Sequence, residues 1–287
     1  MSWNYITQKR GDFLLDTYQA EGLRAKSKQT KKTYIFCLSK FVEWLDGAGT
    51  NLEEYSRTDI QQYIDYLVSK GYSATTINKN WSAIKHFSRW VKKEDAIEDI
   101  SVITPPNILN QAPKALSRNE VNKVIREIDR SGSERNFAIA QILINTGIRL
   151  NELVNLNRTD IDISERKGNL TVRFAKGNKE RQLPLSSEVR RAITKYLETR
   201  DDSIEALFLS NRNIRLSERT VQHIFEKYEI NVHSFRHTFI TKLVRNGEDF
   251  SLVQSLSGHA NADMVIRYSA PNEEDKEEAV SKLWLSD

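Results

Sequence analysis

Two pairs of polar residues are spaced so that a helix would place both members of each pair on one face. Arg149 and Glu152 are three residues apart, directly after Thr146-Gly147, and His233 and Arg236 have the same separation. Residues i and i+3 of a helix are neighbours, so we expect Glu152 to hold the Arg149 guanidinium. The second pair would bring an imidazole and a guanidinium to the same point. Each pair taken alone is more typical of a solvated helix surface than of a catalytic site.

Three further groups have chemistry that would suit such a point. Lys176 lies between two alternating apolar segments, so it is expected at the tip of a hairpin, from which an ammonium group reaches a phosphate or a groove. His259 follows Gly258 at a predicted helix end, and Tyr268 follows Arg267 near the end of the next predicted helix. Taken singly, a solvated turn lysine, a capping or packed histidine and a packed tyrosine are the more ordinary interpretations.

Several common catalytic constellations are missing from the sequence. It contains no GxxxxGK[ST] or GxGxxG phosphate loop, no HExxH zinc motif and no GxSxG nucleophile elbow. It also lacks the cluster of acidic residues that is typical of two-metal phosphoryl transfer. Phosphoryl chemistry would therefore depend on the protein's own cations, and we expect no metal and no other cofactor.

The composition limits the class of protein. The single cysteine, Cys37, excludes a disulfide within the chain and zinc sites made of several cysteines, and the first residues contain no apolar leader segment. No run of about 18 apolar residues occurs, so we expect a cytoplasmic protein without membrane contact. Two lysines and six acidic residues give 271–287 a net charge of −4, so the other residues carry +8, which permits a polyanionic partner.

The hydrophobic periodicity predicts a helical N-terminal domain in residues 1–98, followed by a linker. Residues 99–114 hold three of the five prolines and no glycine, and we expect them to be extended. Thr58 is predicted to cap the third helix. The expected helices are 8–20, 28–46, 59–69 and 74–92.

A second domain is predicted over 115–270, with an acidic tail at 271–287. A strand pair, 170–175 and 180–185, is expected within it, so the fold class is mainly α with a small β-sheet or hairpin in the second domain. Its helices are expected near 117–129, 134–146, 150–156, 187–199, 217–228, 234–246, 250–257 and 261–269.

The order of the candidate groups along the chain is more informative than any one of them. In this order they resemble the Arg, Lys, His-x-x-Arg, His and Tyr set of the tyrosine recombinase (phage integrase) family. The likeness covers residues 10–95, including ATTINKNWSAIKHFSRWV, and residues 115–270. The matching segments are NTGIRLNELVNL with Arg149, FAKGNKERQLPL with Lys176, VHSFRHTFITKLV with His233 and Arg236, LSGHA with His259, and IRYSA with Tyr268.

The resemblance implies a helical core-binding (SAM-like) domain at 1–98 and a catalytic domain at 115–270. It also implies a site-specific DNA strand transferase of the simple Xer-like or Cre-like type, including transposon-borne resolvases, that needs neither metal nor ATP. Tyr268 would be the nucleophile that forms a 3′-phosphotyrosyl link. His233 would accept the phenol proton, and Lys176 would protonate the departing 5′-oxygen.

The same resemblance gives the remaining groups supporting roles. Arg149 and Arg236 would bind the non-bridging phosphate oxygens, and His259 would donate a further hydrogen bond to the phosphate. Glu152 would orient Arg149. The chain departs from the usual family pattern at Phe235, in the LSGHA segment and just before the tyrosine, and none of these departures removes a catalytic group.

The resemblance also implies double-stranded DNA with inverted-repeat core sites as the partner, bound by a homo-tetramer through Holliday junction intermediates. We expect the tail, 271–287, to dock on a neighbouring protomer, with packing on its own domain as the alternative. Basic residues near two predicted helices and the hairpin are the candidate DNA contacts. They are Arg24, Lys26, Lys28, Lys31, Lys32, Lys79, Lys85, Arg89, Lys179 and Arg181.

Two other functions share these features. One is a recombinase-like protein that binds DNA without cleaving it, and the other is a relaxing enzyme similar to type IB topoisomerases. Resolution of dimers or cointegrates, integration of a mobile element and inversion of a segment stay open as biological roles. The sequence does not specify the DNA target or any accessory factor.

Overall fold

The computed structural model of the chain describes residues 13–106, 112–173, 180–259, 261, 263–271, 273–281 and 283. The chain divides into two compact units, Met1–Pro106 and Asn107–Asp287. The division falls inside the segment that was predicted to be a linker, 99–114. As predicted, the fold is mainly helical with one small sheet.

The first unit is a helical bundle. Residues 13–17 form α1, which continues into a π-helical turn at Tyr18–Gly22. The later helices begin after serine residues, and in the two that start at Lys28 and Ala74 the serine side chain accepts a hydrogen bond from a backbone N–H group that has no partner within the helix. These helices are α2 (Lys28–Ala48), α3 (Arg57–Ser69) and α4 (Ala74–Trp90), and a short 3₁₀ turn follows at Asp95–Ile97.

The start of α3 differs from the prediction that Thr58 caps it. The backbone N–H and the hydroxyl of Ser56 both donate to Asp59 Oδ2, each at 2.7 Å. This serine–aspartate pair forms a capping box, in which an acidic residue lies three positions after the cap. The helix is therefore capped two residues earlier than expected. Thr58 therefore lies inside the helix.

Buried aromatic rings fill the core of the first unit. Phe41 of α2 packs tilted against Tyr63 of α3, with ring centroids 5.1 Å apart. Tyr18 meets Phe87 of α4 edge to face at 5.1 Å, and its hydroxyl is 2.8 Å from His86 Nδ1. These contacts fix α2 against α3 and the π-helical turn against α4, which carries three of the eight predicted basic residues of this unit.

The beginning of the predicted linker is held by the first unit. The amide of Gln61 bonds to the backbone N–H and the carbonyl of Ser101 at 2.9 and 3.2 Å. Asn78 Nδ2 donates to the Ile103 carbonyl at 2.7 Å. Residues 101–106 are neither helix nor strand, as predicted, but side chains of α3 and α4 fix their path.

The second unit packs helices around a three-stranded sheet, and its buried core is formed mainly by α5, α6, α8 and the strands. The eight predicted helices are all present with ends shifted by a few residues. They are α5 (Arg118–Arg130), α6 (Glu134–Thr146), α7 (Leu150–Asn155), α8 (Ser187–Glu198), α9 (Glu218–Glu226), α10 (Val232–Arg245), α11 (Phe250–Ser257) and α12 (Asp263–Ile266), with 3₁₀ turns at Arg158–Asp160 and Arg267–Ser269. A further helix, α13 (Glu273–Ser281), lies in the tail and was not predicted.

The sheet contains one strand more than the predicted hairpin. Strands β2 (Gly168–Val172) and β3 (Arg181–Pro184) pair antiparallel, with Leu170 opposite Leu183. The additional strand β1 (Ile161–Ile163) pairs with the other edge of β2. A strand of three residues is too short to show an alternating pattern, so periodicity does not predict it.

An ion pair joins the described part of the tail to its own chain. Asp275 of α13 accepts a hydrogen bond from Arg245 Nη2 of α10 at 3.0 Å. The apolar side chains beyond it stay largely outside, since Val280 is 63% exposed and Leu283 is 66% exposed.

Within the described ranges, no helix combines the length and the apolar character required to cross a membrane.

Gly22 is required where α1 and α4 meet. A Cβ atom at this position would lie 2.5 Å from Cδ2 of Tyr18, whose ring is fully buried. We predict that Gly22→Ala destabilises the first unit by about 1–3 kcal/mol, because the ring has no free space to move into. Urea unfolding followed by fluorescence of Trp44, Trp81 and Trp90 measures this change.

Gly47→Ala is the matched control. A Cβ atom at Gly47 would meet no atom within 4 Å, and the residue lies inside α2. Since alanine favours the helix over glycine, this variant should gain about 0.5–1 kcal/mol. Equal midpoints for the two variants would contradict the packing described for Gly22.

Candidate active site

Arg149 is positioned by a tight chain reversal between two helices. Helix α6 ends at Gly147, which has φ of 60°, and Arg149 is the N-cap of α7. The Arg149 backbone N–H donates to Glu152 Oε2 at 2.8 Å, and its Nη1 donates to Oε1 at 3.0 Å. The predicted Arg149–Glu152 pair is therefore present, and the same carboxylate fixes both the backbone and the side chain of the arginine.

Glu152 also binds a second arginine, from the sheet. Arg181, the first residue of β3, donates from Nη1 and Nη2 to the two carboxylate oxygens at 3.0 and 2.7 Å. Burial raises the pKa of Glu152, but the bonds and charges of Arg181 and Arg149 outweigh it, so the pKa of this carboxyl is lowered. The side chain is only 4% exposed and is held as a carboxylate between two guanidinium groups.

The structure places Arg181, one of the predicted DNA contacts, in a largely buried position. Its side chain is 10% exposed, and Nε donates to the Leu256 carbonyl at 3.2 Å. Gly258 lies close to it, because a Cβ atom added at Gly258 would be 2.8 Å from Arg181 Nη1. Arg181 pairs with Val172, the last residue of β2, and its bond to Leu256 links β3 to α11, whereas contact with DNA stays a prediction.

Arg236 is buried at the point where three elements meet. From α10 it donates Nη1 to the Gly147 carbonyl and Nη2 to the Ser257 carbonyl, both at 2.7 Å. These carbonyls belong to the C-terminal ends of α6 and α11, where the helix dipole favours a cation. Burial, and then the charge of Arg149, lowers the pKa of Arg236 to about 10, so the group stays cationic at neutral pH.

The two phosphate-binding candidates share the end of α11. Arg149 Nη2 donates to the Gly258 carbonyl at 2.9 Å, next to the Ser257 carbonyl that accepts from Arg236. The Arg149 side chain is 33% exposed, whereas Arg236 is 7% exposed as a residue. The structure thus brings both guanidinium groups to one point, with Arg149 on its open side.

His259 joins this cluster through both ring nitrogens. Its Nε2 accepts a hydrogen bond from Arg236 Nη2 at 3.2 Å, because a guanidinium nitrogen only donates. The proton is then on Nδ1, which lies 3.0 Å from Ser257 Oγ. Burial, followed by the charges of Arg236 and Arg149, lowers the pKa of His259 to about 4. In this tautomer Nε2 is an acceptor, so donation to a phosphate from that atom would require the proton to move to it.

Tyr268 lies in the same region of the chain's own fold. It is in the 3₁₀ turn Arg267–Ser269, is 5% exposed and packs with Ile240, Val253 and Val265. Its ring centroid is 6.1 Å from that of His259.

Burial raises the pKa of the Tyr268 phenol, and the charges of Arg236, Arg267 and Arg149 partly oppose this effect. The phenol is therefore protonated at neutral pH but lies in the field of the arginines. One of these cations, Arg267, lies in the same 3₁₀ turn as Tyr268. Within the described residues, its buried Nε has no hydrogen-bond partner.

The histidine that contacts the tyrosine is not the one singled out in the sequence. His237 Nδ1 is 3.0 Å from the Tyr268 hydroxyl. His233, one turn earlier on α10, is exposed, and its ring makes no hydrogen bond within the described residues. The sequence contains one indication that His237 belongs to the site. It follows His233 by four residues, and this spacing places both rings on one face of the helix.

Two candidates of the hairpin, Lys176 and Lys179, lie outside the described residues. Their roles therefore stay predictions. Among the described residues, no three His, Cys, Asp or Glu side chains come together as a metal site.

Two of the basic residues of the first unit, Lys26 and Arg89, lie near His86. Burial, and then the charges of Lys26 and Arg89, lowers the pKa of His86, so the segment before α2 and the end of α4 lie close to each other. Lys31 and Lys85 are partly buried, and the other candidates in this unit are exposed. The exposed set is Arg24, Lys26, Lys28, Lys32, Lys79 and Arg89.

Comparisons with known proteins agree over nearly the whole chain. A profile described as the phage integrase family matches residues 114–275, and one described as the phage integrase N-terminal SAM-like domain matches residues 13–98. The chain is 33% identical to the tyrosine recombinase XerA of Pyrococcus furiosus over 274 residues, which cover 92% of this chain and 91% of that protein.

Solved structures have the same fold. The crystal structure of XerA recombinase aligns with a TM-score of 0.53 and 28% identity, covering 94% of this chain and 97% of that one. The crystal structure of the XerH site-specific recombinase bound to difH substrate, a pre-cleavage complex, aligns with a TM-score of 0.69 and 22% identity. That alignment covers 94% of this chain and 84% of the other.

We predict that Glu152→Gln destabilises the full chain by about 3–5 kcal/mol, because it leaves buried guanidinium groups without their counter-charge. Urea unfolding at pH 7 measures the loss. Glu226→Gln is the control, since this exposed carboxylate on α9 pairs with the exposed side chains of Arg219 and His223, and its removal should leave the urea midpoint nearly unchanged.

The stability difference between wild type and Glu152→Gln should also depend on pH. A lowered pKa in the folded state means that the carboxylate stabilises the protein above its unfolded pKa of about 4.3, and that this contribution is lost as the pH falls through the folded value. The difference should therefore narrow under acidic conditions. A gap that stayed constant from neutral pH down to the acid range would contradict the charge-based account.

Proposed function

Because the chain belongs to the phage integrase family and is a site-specific tyrosine recombinase, we propose that Tyr268 is its nucleophile and that Arg149 and Arg236 bind the scissile phosphate. The phenol oxygen attacks phosphorus, the bond to the 5′-oxygen breaks, and a 3′-phosphotyrosyl link forms with release of a 5′-hydroxyl. The observation that carries the proposal is the convergence of both guanidinium groups at the end of α11, within the electrostatic reach of the buried phenol.

The two arginines stabilise negative charge that grows on the non-bridging oxygens. They are held by carbonyls and by Glu152 before any substrate arrives, so little reorganisation is needed in the reaction. Removing one such preorganised donor typically lowers kcat by about 10²–10³-fold. The exposure of Arg149 supports direct contact of its side chain with the phosphate. The buried Arg236 contributes positive charge behind Arg149.

The remaining family positions handle protons and hydrogen bonds. Lys176 is proposed to protonate the departing 5′-oxygen, and His259 to contact the phosphate after its proton shifts to Nε2. His233 is on the same helix as Arg236, and its exposure leaves it free to approach substrate. The phosphotyrosyl bond retains the energy of the ester it replaces, so rejoining needs no nucleotide.

Double-stranded DNA is the proposed partner. One structural relative is described as bound to its difH substrate, and another, a lambda integrase dimer, as bound to a core site. In this chain the exposed basic side chains around His86 offer a surface for phosphate contacts. Strand exchange on inverted-repeat core sites requires four active sites, and we propose a homo-tetramer assembled on DNA.

The tail is proposed to link neighbouring protomers. Its start is tied to its own chain by the Arg245–Asp275 pair, while Val280 and Leu283 remain exposed. Docking of these apolar side chains on an adjacent subunit would remove them from water. No observation favours a non-catalytic DNA-binding protein or a relaxing enzyme over recombination.

We predict that Tyr268→Phe abolishes covalent attachment to DNA while the affinity for DNA changes less than about twofold, because the phenol oxygen is the atom that bonds to phosphorus. The probe is a pool of nicked duplexes with randomised inverted-repeat arms. Duplexes that stay attached to wild-type protein in SDS are captured and sequenced. Their sequences also identify the preferred core site. Capture by Tyr268→Phe at the wild-type level would exclude this nucleophile.

We also predict that Lys26→Gln combined with Arg89→Gln weakens binding to any duplex. The logarithm of affinity falls with the logarithm of salt by about 0.9 per phosphate neutralised, so losing two contacts should reduce this slope by about 1.8. Fluorescence anisotropy with a labelled random-sequence duplex measures both quantities. Lys40→Gln, which removes a lysine already paired with Glu43 at 2.8 Å, is the control. An unchanged slope in the double variant would exclude these two residues as phosphate contacts.

A further inference from the structure

We propose that His237 is a further catalytic residue, which accepts the phenol proton of Tyr268 as that oxygen attacks phosphorus. The proposal rests on the proposed function of Tyr268 as nucleophile. It assigns the proton to a histidine outside the six positions that define the family resemblance. The carrying observation is the 3.0 Å contact between His237 Nδ1 and the Tyr268 hydroxyl.

The contact offers the phenol proton a direct route to the histidine. Within the described residues, His237 Nδ1 is the sole hydrogen-bond partner of the phenol, and the tautomer of the ring with its proton on Nε2 accepts the O–H at this nitrogen. The two rings are tilted by 41° with centroids 5.9 Å apart, and both side chains pack between α10 and the turn that follows α12. The nitrogen lone pair is therefore directed at the proton that has to leave.

The charge state of His237 agrees with the role of acceptor. Burial, followed by the charges of Arg267, His233 and Arg236, lowers the pKa of His237 to about 4, so the ring is neutral at pH 7. A neutral ring that accepts at Nδ1 carries its own proton on Nε2. An anionic phosphodiester held by Arg149 and Arg236 would offset part of the surrounding positive charge, which makes the imidazole a stronger base when substrate is bound.

The proton balance of the step is complete. As the phenol oxygen bonds to phosphorus, its proton moves to His237 Nδ1, while the 5′-oxygen leaves and takes a proton from the ammonium of Lys176. The site gains one proton at the histidine and loses one at the lysine, so its net charge is unchanged. In rejoining, a 5′-hydroxyl gives its proton to the neutral amine of Lys176 as it attacks phosphorus, and the phenol oxygen leaves with the proton from His237.

His237→Asn is the variant that separates proton transfer from positioning. An asparagine side chain places its amide near the Nδ1 position, so a hydrogen bond to the phenol is retained but the proton has no base to move to. With the duplex recovered by capture with wild-type protein, the single-turnover cleavage rate should fall by about 10²–10⁴-fold. His223→Asn, on the exposed face of α9 away from these residues, should cleave at the wild-type rate.

A fluorinated tyrosine at position 268 provides the second measurement. Its phenol has a lower pKa and needs less help from a base, so it should recover at least tenfold of the rate that His237→Asn has lost. The same replacement in His233→Asn should recover less than twofold. If His237→Asn does not unfold cooperatively, the test is repeated with His237→Gln, whose side chain also lacks a base for the phenol proton.

Two outcomes would overturn the proposal. One is a cleavage rate for a folded His237 variant within twofold of wild type. The other is recovery by fluorotyrosine in His233→Asn rather than in His237→Asn, which would give the proton to His233. Both leave the nucleophile intact, because that role is tested separately by loss of covalent capture in Tyr268→Phe.

Discussion

The cations of the active site must lie close together although they repel each other, and the buried carboxylate of Glu152 makes this possible. It binds Arg149 from the same helical turn and Arg181 from the sheet, and its charge also stabilises Arg236 in its cationic form. A buried charge without partners is costly, so the carboxylate and the guanidinium groups are stable only as a set. The active site is thus a structural ion cluster with one open side.

The same cluster gives different environments to the two arginines that are proposed to bind phosphate. The terminal nitrogens of Arg236 bond to carbonyls at the ends of two helices and to His259, which fixes α6, α10 and α11 relative to one another. Arg149 keeps a third of its side chain exposed and bonds to Glu152 and the Gly258 carbonyl. One guanidinium therefore holds the cluster together, and the other is open to the proposed substrate.

Crowded positive charge also keeps the neighbouring histidines neutral. The pKa of His237 and that of His259 are both lowered to about 4, first by burial and then by the arginines. Neutral rings can accept hydrogen bonds, and they do so here from the Tyr268 phenol and from Arg236. Under the proposed function, an anionic phosphate bound here would raise the pKa of both histidines again and so make them stronger bases.

The sequence by itself determined the family, the helical class, the strand pair and the pairing of Arg149 with Glu152, because these depend on motif order or on spacing within one element. It did not determine strand β1, the fixed path of residues 101–106, the buried position of Arg181 or the contact of His237 with Tyr268. The last two contacts join residues 29 and 31 positions apart, on elements brought together by packing. Periodicity reports which residues share a face of one helix or strand, whereas the partner of that face is decided by the tertiary structure.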